Sequence, residues 1–472
     1  PYIDRQNVIY PISSETPSPL RFTSRTSQWT KYSGRFTVKE FCSQCRIALL
    51  VELDSWAAWW GVQVYIANVT FTETPTELSL APEVHVSEHT VVRIPVIPPF
   101  SSVPRENCPH EQAGLKSWGA PQTWGAAVPT FGQNVTLPEN SSVLLRGSDL
   151  GGELFTFYSA DPSTDSTTLP TPTMVHGHFS LITIPETSSL IIDDSALVLG
   201  LRGIIVRGSL VLGSPSCRLT NKVQLVFSSP YAHDSELGIL VRGGRLEMHG
   251  QVSNPPWVRL SRTVMSSNTI VYLQESVNSG AAGNAAGGWK VGAQVVVTGT
   301  NWRTLEREES EVRTIKSVRE DGRAIELDFP LRHVHYAGKE FQGEVGLLSR
   351  SIELYGGRSF AAAYQDGAHV MISQKGVGRI SGVAAARMGQ TNQLGRYPFH
   401  FHKLESSPDS YIVDSAVVES YYRCVVVHGT NNMTVSRNVA FRSRGHCYYL
   451  EDGVEESNTF EFNLGSDIYT IH

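Results

Sequence analysis

Four histidines and a run of carboxylates in the last eighty residues are the side chains best suited to chemistry. His400 and His402 lie in Tyr-Pro-Phe-His-Phe-His (397–402). His428 closes Arg-Cys-Val-Val-Val-His (423–428), and His446 and Glu451 bound His-Cys-Tyr-Tyr-Leu-Glu (446–451). Imidazoles titrate near neutral pH and serve as general acids or bases. Glu451, Asp452, Glu455 and Glu456 add carboxylates that pair with imidazoles or bind a hard cation. Arg396, Arg423, Arg442 and Arg444 suit the carboxylates of a polymer chain. This set matches two ways of cutting a glycan. Hydrolysis needs an acid at the leaving oxygen and a base or nucleophile opposite. Elimination from a uronate needs a base at C5 and a cation for the carboxylate. The expected catalytic unit is His402, His428 and Glu451, with an imidazole keeping its proton beside the carboxylate. Expected substrate contacts are His400, Arg396, Arg423, Tyr449 and His446. Asp452 and Glu455 are the expected calcium ligands. The competing reading is a ladder of stacked polar residues satisfying one another, and it is the stronger one for His400 and His446.

The spacing says what must position them. His402 to His428 is 26 residues and His428 to Glu451 is 23. A second strand set, 411–415, 433–437 and 459–463, repeats at 22 and 26. Short strands at such a period with no helices between them imply a solenoid of stacked strands. Coils then lie roughly 4.8 Å apart, and residues one coil apart become neighbours. Alternate residues share a face. His402, His428 and Glu451 form one row, His400, Val426 and Tyr449 the next, and Pro398, Cys424 and Cys447 the row after. Phe399, Phe401, Val425, Val427, Tyr448 and Leu450 occupy the other face, which should point inward and leave the histidines lining a shallow groove. Cys424 and Cys447, in register one coil apart, are expected to be bonded in an oxidising compartment. The coils are expected to run unbroken from about residue 190. Asp366 and His369 open an earlier coil and would extend the groove. His333 and His335 read as an edge strand with no carboxylate nearby in sequence.

The 472 residues include 40 glycines, an apolar fraction of 40% and a net charge of −6. Strands and tight turns fit that composition. The charge offers no global field for nucleic acid. No apolar run is long enough to span a membrane, and no nucleophile elbow, Walker loop or dinucleotide fingerprint occurs. Sequons at Asn68, Asn134, Asn140 and Asn432 are glycosylation candidates that lean towards the secretory pathway. The chain begins at Pro1 without Met, which reads as a piece of something longer. Residues 1–108 read as a small β-sandwich with Cys42 and Cys45, and with Trp56, Trp59 and Trp60 as core or sugar-stacking aromatics. A proline-rich linker follows. From Trp118 to Gly250 glycines punctuate short apolar strands, allowing turns that a Cβ would forbid.

That glycine-spaced stretch resembles a G8 domain. Trp289-Lys-Val-Gly-Ala-Gln-Val-Val-Val, residues 309–315, 343–350, 395–402 and 445–453 are similar to blocks found with it, in order, in one family. That family includes hyaluronan-binding cell-migration proteins and fibrocystin-like proteins. The resemblance implies a right-handed parallel β-helix, pectate-lyase-like, which with the small sandwich read before it makes an all-β chain. It covers roughly residues 115–470 and not the first 110; with the sandwich read from its strands, the chain divides into an N-terminal domain (1–108), a G8 domain opening the β-helix (109–262) and β-helix repeats carrying the site (263–472). It implies a secreted or cell-surface protein. For two members it implies binding and depolymerisation of an anionic polysaccharide such as hyaluronan, helped in one of them by calcium. For fibrocystin-like members it implies a non-catalytic ectodomain used for adhesion. Both remain open at this point.

Overall fold

In a computed structural model of the chain, the described residues are 105–151, 174–278, 287–301, 309–319, 321–339, 341–356 and 365–471. Four short strand stretches, Tyr2–Ile3, Val8–Tyr10, Leu20–Arg21 and Phe155–Thr156, are described besides. The chain divides into two compact units, Pro1–Arg93 and Ile94–His472. The expected N-terminal sandwich, with its tryptophans, Cys42, Cys45 and Asn68, falls almost wholly outside the described residues. Cys108, placed there by the sequence reading, is bonded to Cys217 within the second unit.

The second unit is a parallel β-helix. One sheet stacks nine parallel strands from Lys116–Ser117 to Thr459–Glu461. A second carries the candidate site on Gly238–Arg242, His369–Ser373, Phe399–Ser406, Val425–Asn431 and Tyr448–Leu450. The third side runs from Val223–Phe227 through Ile352–Gly356, Val383–Ala386, Ala416–Val418 and Val439–Arg444 to Leu464–Tyr469. Leu197–Val206 joins the last two: its first half pairs with Val223–Phe227, its second with Gly238–Val241. Phe399, Phe401, Val425 and Val427 point into the core, as expected, and are fully buried.

Glycine is required where coils turn directly over one another. A Cβ on Gly208 would lie 2.0 Å from the Ser188 carbonyl oxygen, and one on Gly244 would lie 2.4 Å from that of Gly208. The corners of later coils use another device. Asp414, Arg437 and Phe462, each just past a strand of the nine-stranded sheet, adopt φ of 53°, 55° and 51°. Asn438 joins these coils. Its Oδ1 accepts from the Ser415 amide, and its Nδ2 donates to Ile412 O and Asn463 Oδ1, each at 3.0 Å.

The β-helix is interrupted, correcting the expectation of unbroken coils from residue 190 and of coil repeats throughout 263–472. Between Arg245–His249 and Ile352–Gly356 lies a six-stranded sheet whose strand pairs, from Trp257–Arg259 to Glu344–Leu347, are all antiparallel. It has its own core, including Val271, Trp289, Ile325 and Leu347. The 22–26 residue period belongs to the coils after residue 395, and nothing in 257–347 repeats it. The insert also covers one outer face of the helix. Its Val296 and Val312 pack with Ala384, Ala386, Val418, Val439 and Phe441 of the third side. That side is consequently apolar on both faces, as strands covered twice must be.

Candidate functional site

The observed register pairs His402 with His428, His400 with Val426, and Val426 with Tyr449. Glu451 follows its strand directly, and its amide donates to Val427 O at 3.0 Å. Its carboxylate reaches back across the row. Glu451 Oε2 lies 3.4 Å from His428 Nδ1 and 3.7 Å from His400 Nε2. His428 Nε2 is 3.2 Å from Asp452 Oδ2. The rings of His400 and His428 stack, and His402 meets both edge-on with centroids 4.9 Å away. The structure thus brings His400, His402, His428, Glu451 and Asp452 together.

The place is not a shallow groove at its inner end. The turn between Ala386 and Phe399 folds back over the outward face of the sheet. Gly395 makes that turn possible at φ +85°, and its carbonyl oxygen lies 2.8 Å from His400 Nδ1. Tyr397, Tyr422 and Val426 form a small apolar cluster there, joined by Tyr449 and Ile471. His400 is 0% exposed beneath it. Arg423 is buried as well. Its guanidinium sits 4.1 Å over the Tyr449 ring and 4.8 Å over Tyr397, and it donates to Glu451 Oε1 at 3.1 Å. The Tyr397 hydroxyl donates to the same oxygen at 2.8 Å. Arg423 and His400, expected to touch substrate, therefore act on the site from behind. Arg396 donates to Gln390 Oε1 at 2.6 Å and to the His233 carbonyl. Of the expected contacts, His446 is exposed and stacks on half-buried Tyr449.

Burial decides the protonation of the inner residues. It lowers His400 to about 3, with His402 and His428 adding repulsion. His402 is lowered too, by burial first and then by His428 and Lys403, which outweigh Glu451. A carboxylate in the row is expected to hold a proton on its imidazole; at His402 desolvation wins instead. Burial raises the Tyr397 phenol well above its ordinary value, so it stays a donor to Glu451. Tyr397 was the component missed. Its position just before the histidine strand was the only available signal.

The remaining candidates lie apart. Glu455 Oε1 accepts from the amides of Gly429 at 2.9 Å and Asp452 at 3.1 Å. Burial pushes its carboxyl up, and these amides outweigh that and lower it. Calcium takes six to eight oxygens, and among the described residues no three-group cluster includes Asp452 or Glu455. His369 is buried and lowered to about 3, chiefly by burial, while Asp366 accepts from His233. Neither extends a groove. His335 is no edge residue: it is buried, 3.2 Å from Glu311 Oε1. Cys424 and Cys447 are bonded, but they belong to the main core and not to the outward row, because both sit at the corner before their strands. Asn134, Asn140 and Asn432 are exposed.

Residues 162–261 match the G8 domain and residues 365–471 the CEMIP β-helix. In these two segments the chain is similar to G8-domain proteins. The antiparallel insert falls largely between the two matched segments. Protein rliB of Dictyostelium discoideum is 34% identical over 420 residues, covering 86% of this chain and 34% of rliB. Communication mutant protein F of the same organism is 31% identical, with the same two coverages. Fibrocystin-L of Mus musculus is 25% identical over 467 residues, 86% of this chain and 10% of that protein. The chain thus spans about a third of the Dictyostelium relatives and a tenth of fibrocystin-L. A Pseudomonas phage phi297 tailspike, gp61, aligns over 59% of this chain and 39% of its own at 8% identity and a TM-score of 0.19, too distant to bear on function.

Proposed function

We propose that this G8-domain β-helix binds an anionic polysaccharide of the hyaluronan class outside the cell and cleaves it at the rim formed by His402, His428 and Glu451. The supporting observation is their convergence: three histidines and a carboxylate from three successive coils meet where the sheet opens to solvent between His402, His446 and Asp452. His402, half-buried and held neutral, is in the state of a base. Elimination is the chemistry that state favours. His402 takes the C5 proton of a uronate, the C4–O bond breaks as a C4–C5 double bond forms, and water protonates the leaving oxygen. The two described disulfides fit an oxidising compartment.

The test is incubation of the purified chain with size-defined hyaluronan and other uronate glycans, with calcium or with chelator. Elimination gives shortened chains whose new ends absorb in the ultraviolet; hydrolysis gives shortened chains without that absorbance. His402→Ala should lower the rate on the order of 10²-fold or more, and combining it with Glu451→Gln should cost far less than the product of the two losses. One observation favours an adhesive, non-catalytic ectodomain instead: Arg423 and His400 are sealed from solvent. Glycan bound but never shortened, by wild type and variants alike, would establish that second reading.

A further inference from the structure

We propose that His400, His402 and His428, with Glu451, form a binding site for one transition-metal ion of the zinc class. The three rings offer ligand atoms that all lie within 4.8 Å of one another. Two atoms in the cluster are buried without a hydrogen bond: His400 Nε2 and Glu451 Oε2. Their surroundings indicate what is missing. His400 Nδ1 lies 2.8 Å from the Gly395 carbonyl oxygen, an acceptor, so that nitrogen carries the proton and Nε2 carries a lone pair. Nε2 then faces a carboxylate oxygen 3.7 Å away. Two acceptors directed at each other in a buried place repel unless a cation stands between them.

His428 repeats the pattern. Its Nε2 lies 3.2 Å from Asp452 Oδ2 and its Nδ1 lies 3.4 Å from the same Glu451 oxygen, so a carboxylate stands beside each nitrogen. The outer contacts are those metal ligands use. His400 donates to a backbone carbonyl, Asp452 stands beside the outer nitrogen of His428, and the other oxygen of Glu451 is fixed by Tyr397 and Arg423. The spacing also fits. Tetrahedral ligands about 2.0–2.1 Å from zinc stand about 3.3–3.4 Å from each other. The two separations at Glu451 Oε2, 3.4 and 3.7 Å, are close to that value, and the histidine nitrogens, within 4.8 Å of one another, close on the ion by side-chain rotation. Three imidazoles and one carboxylate select zinc, cobalt or nickel over calcium, which takes oxygens. The half-buried rings of His402 and His428 give the ion a way in. The other close cluster, Cys108, His110 and Cys217, is closed to metal by its disulfide.

The test uses the whole chain, prepared without a histidine tag, stripped with chelator and dialysed. Zinc is added in competition with a chromophoric chelator, and cobalt is added while the visible spectrum is recorded. Wild type should take up one equivalent of zinc at this site and give the intense visible bands of four-coordinate cobalt. His402→Ala and His428→Ala, both at half-buried positions, should weaken zinc at least 100-fold and abolish those bands while keeping the wild-type circular dichroism. His333→Ala, in the insert, should bind like wild type. Calcium should neither compete nor alter the cobalt spectrum. A folded wild-type chain that takes up no zinc or cobalt would overturn the proposal. So would binding that survives both variants, or binding lost equally in His333→Ala. No glycan enters these measurements. Metal on His402 engages the lone pair that would take the C5 proton, so the proposed elimination belongs to the metal-free chain; zinc uptake with no cleavage in either form leaves this inference standing and removes the enzymatic reading. Cleavage by a chain that binds no metal does the reverse.

Discussion

His249 shows at the residue scale how burial sets charge in this chain. Its side chain is wholly enclosed, with Nε2 2.8 Å from the Tyr411 hydroxyl and Nδ1 making no hydrogen bond. Burial, then the charge of Arg218, lower it to about 3. His369 is lowered to about 3 as well, by burial and then Arg396. The folded pKa lies below the unfolded value of about 6.5, so folding requires the neutral ring. Its contribution is complete above pH 6.5 and is lost as pH falls from 6.5 towards 3. Denaturant midpoints should therefore drop through that window, each such histidine adding about 1.4 kcal/mol per pH unit to the slope. His249→Gln should flatten the slope by one histidine's share, whatever it does to stability at pH 8. An unchanged slope would mean the ring titrates freely in the folded chain.

At the scale of single elements, the corners are the sensitive points. Gly208 and Gly244 occupy the same corner one coil apart, since Ser209 pairs with Arg245. A methyl at Gly244 would sit 2.4 Å from the Gly208 carbonyl oxygen. Backbone must move to admit it, and forced overpacking costs about 1–3 kcal/mol. Gly244→Ala is expected to lower the unfolding free energy, read from denaturant titration, by that amount. Gly114→Ala, where the added atom meets nothing but φ is +83°, should cost about 1 kcal/mol from strain alone. Equal losses at the two sites would show that conformation, not coil stacking, fixes the glycine. The later corners were hidden in the sequence because Asp414, Arg437 and Phe462 take the left-handed conformation without being glycine or, for two of them, a usual substitute. Asp414 and Arg437 are tied to each other by a two-bond ion pair across the coils, and the Phe462 carbonyl accepts from Trp257 of the insert.

For the whole β-helix unit, the antiparallel insert is a cover as well as an insertion. Its Val296 and Val312 lie on an outer face containing Ala384, Ala386, Val418, Val439 and Phe441, all buried. Replacing residues 257–347 by a short Gly/Ser linker should leave the coil hydrogen bonds intact and expose that face. Exposed apolar patches associate, so the shortened chain should elute as oligomers on size exclusion and bind a hydrophobic dye. A monomeric, dye-free product would show that the face is stable in water and that the insert serves something else.

The sequence alone determined the coil, the register and most of the inward face, although Leu450, read as inward, is exposed and the two cysteines, read as outward, are in the core. Each late coil has nearly fixed length, so residues 23 to 26 apart must stack, and alternation then sends Phe399, Phe401, Val425 and Val427 inward and His402 and His428 outward. The same spacing paired Cys424 with Cys447. Tertiary structure decided what lies over the outward face. Tyr397 and Tyr422 seal His400 and Arg423, and the insert covers the third side. Those contacts join residues of different coils and loops through side-chain shape, which no period records. Protonation was decided there too, because desolvation depends on what covers a ring and not on which carboxylate is nearest in the row.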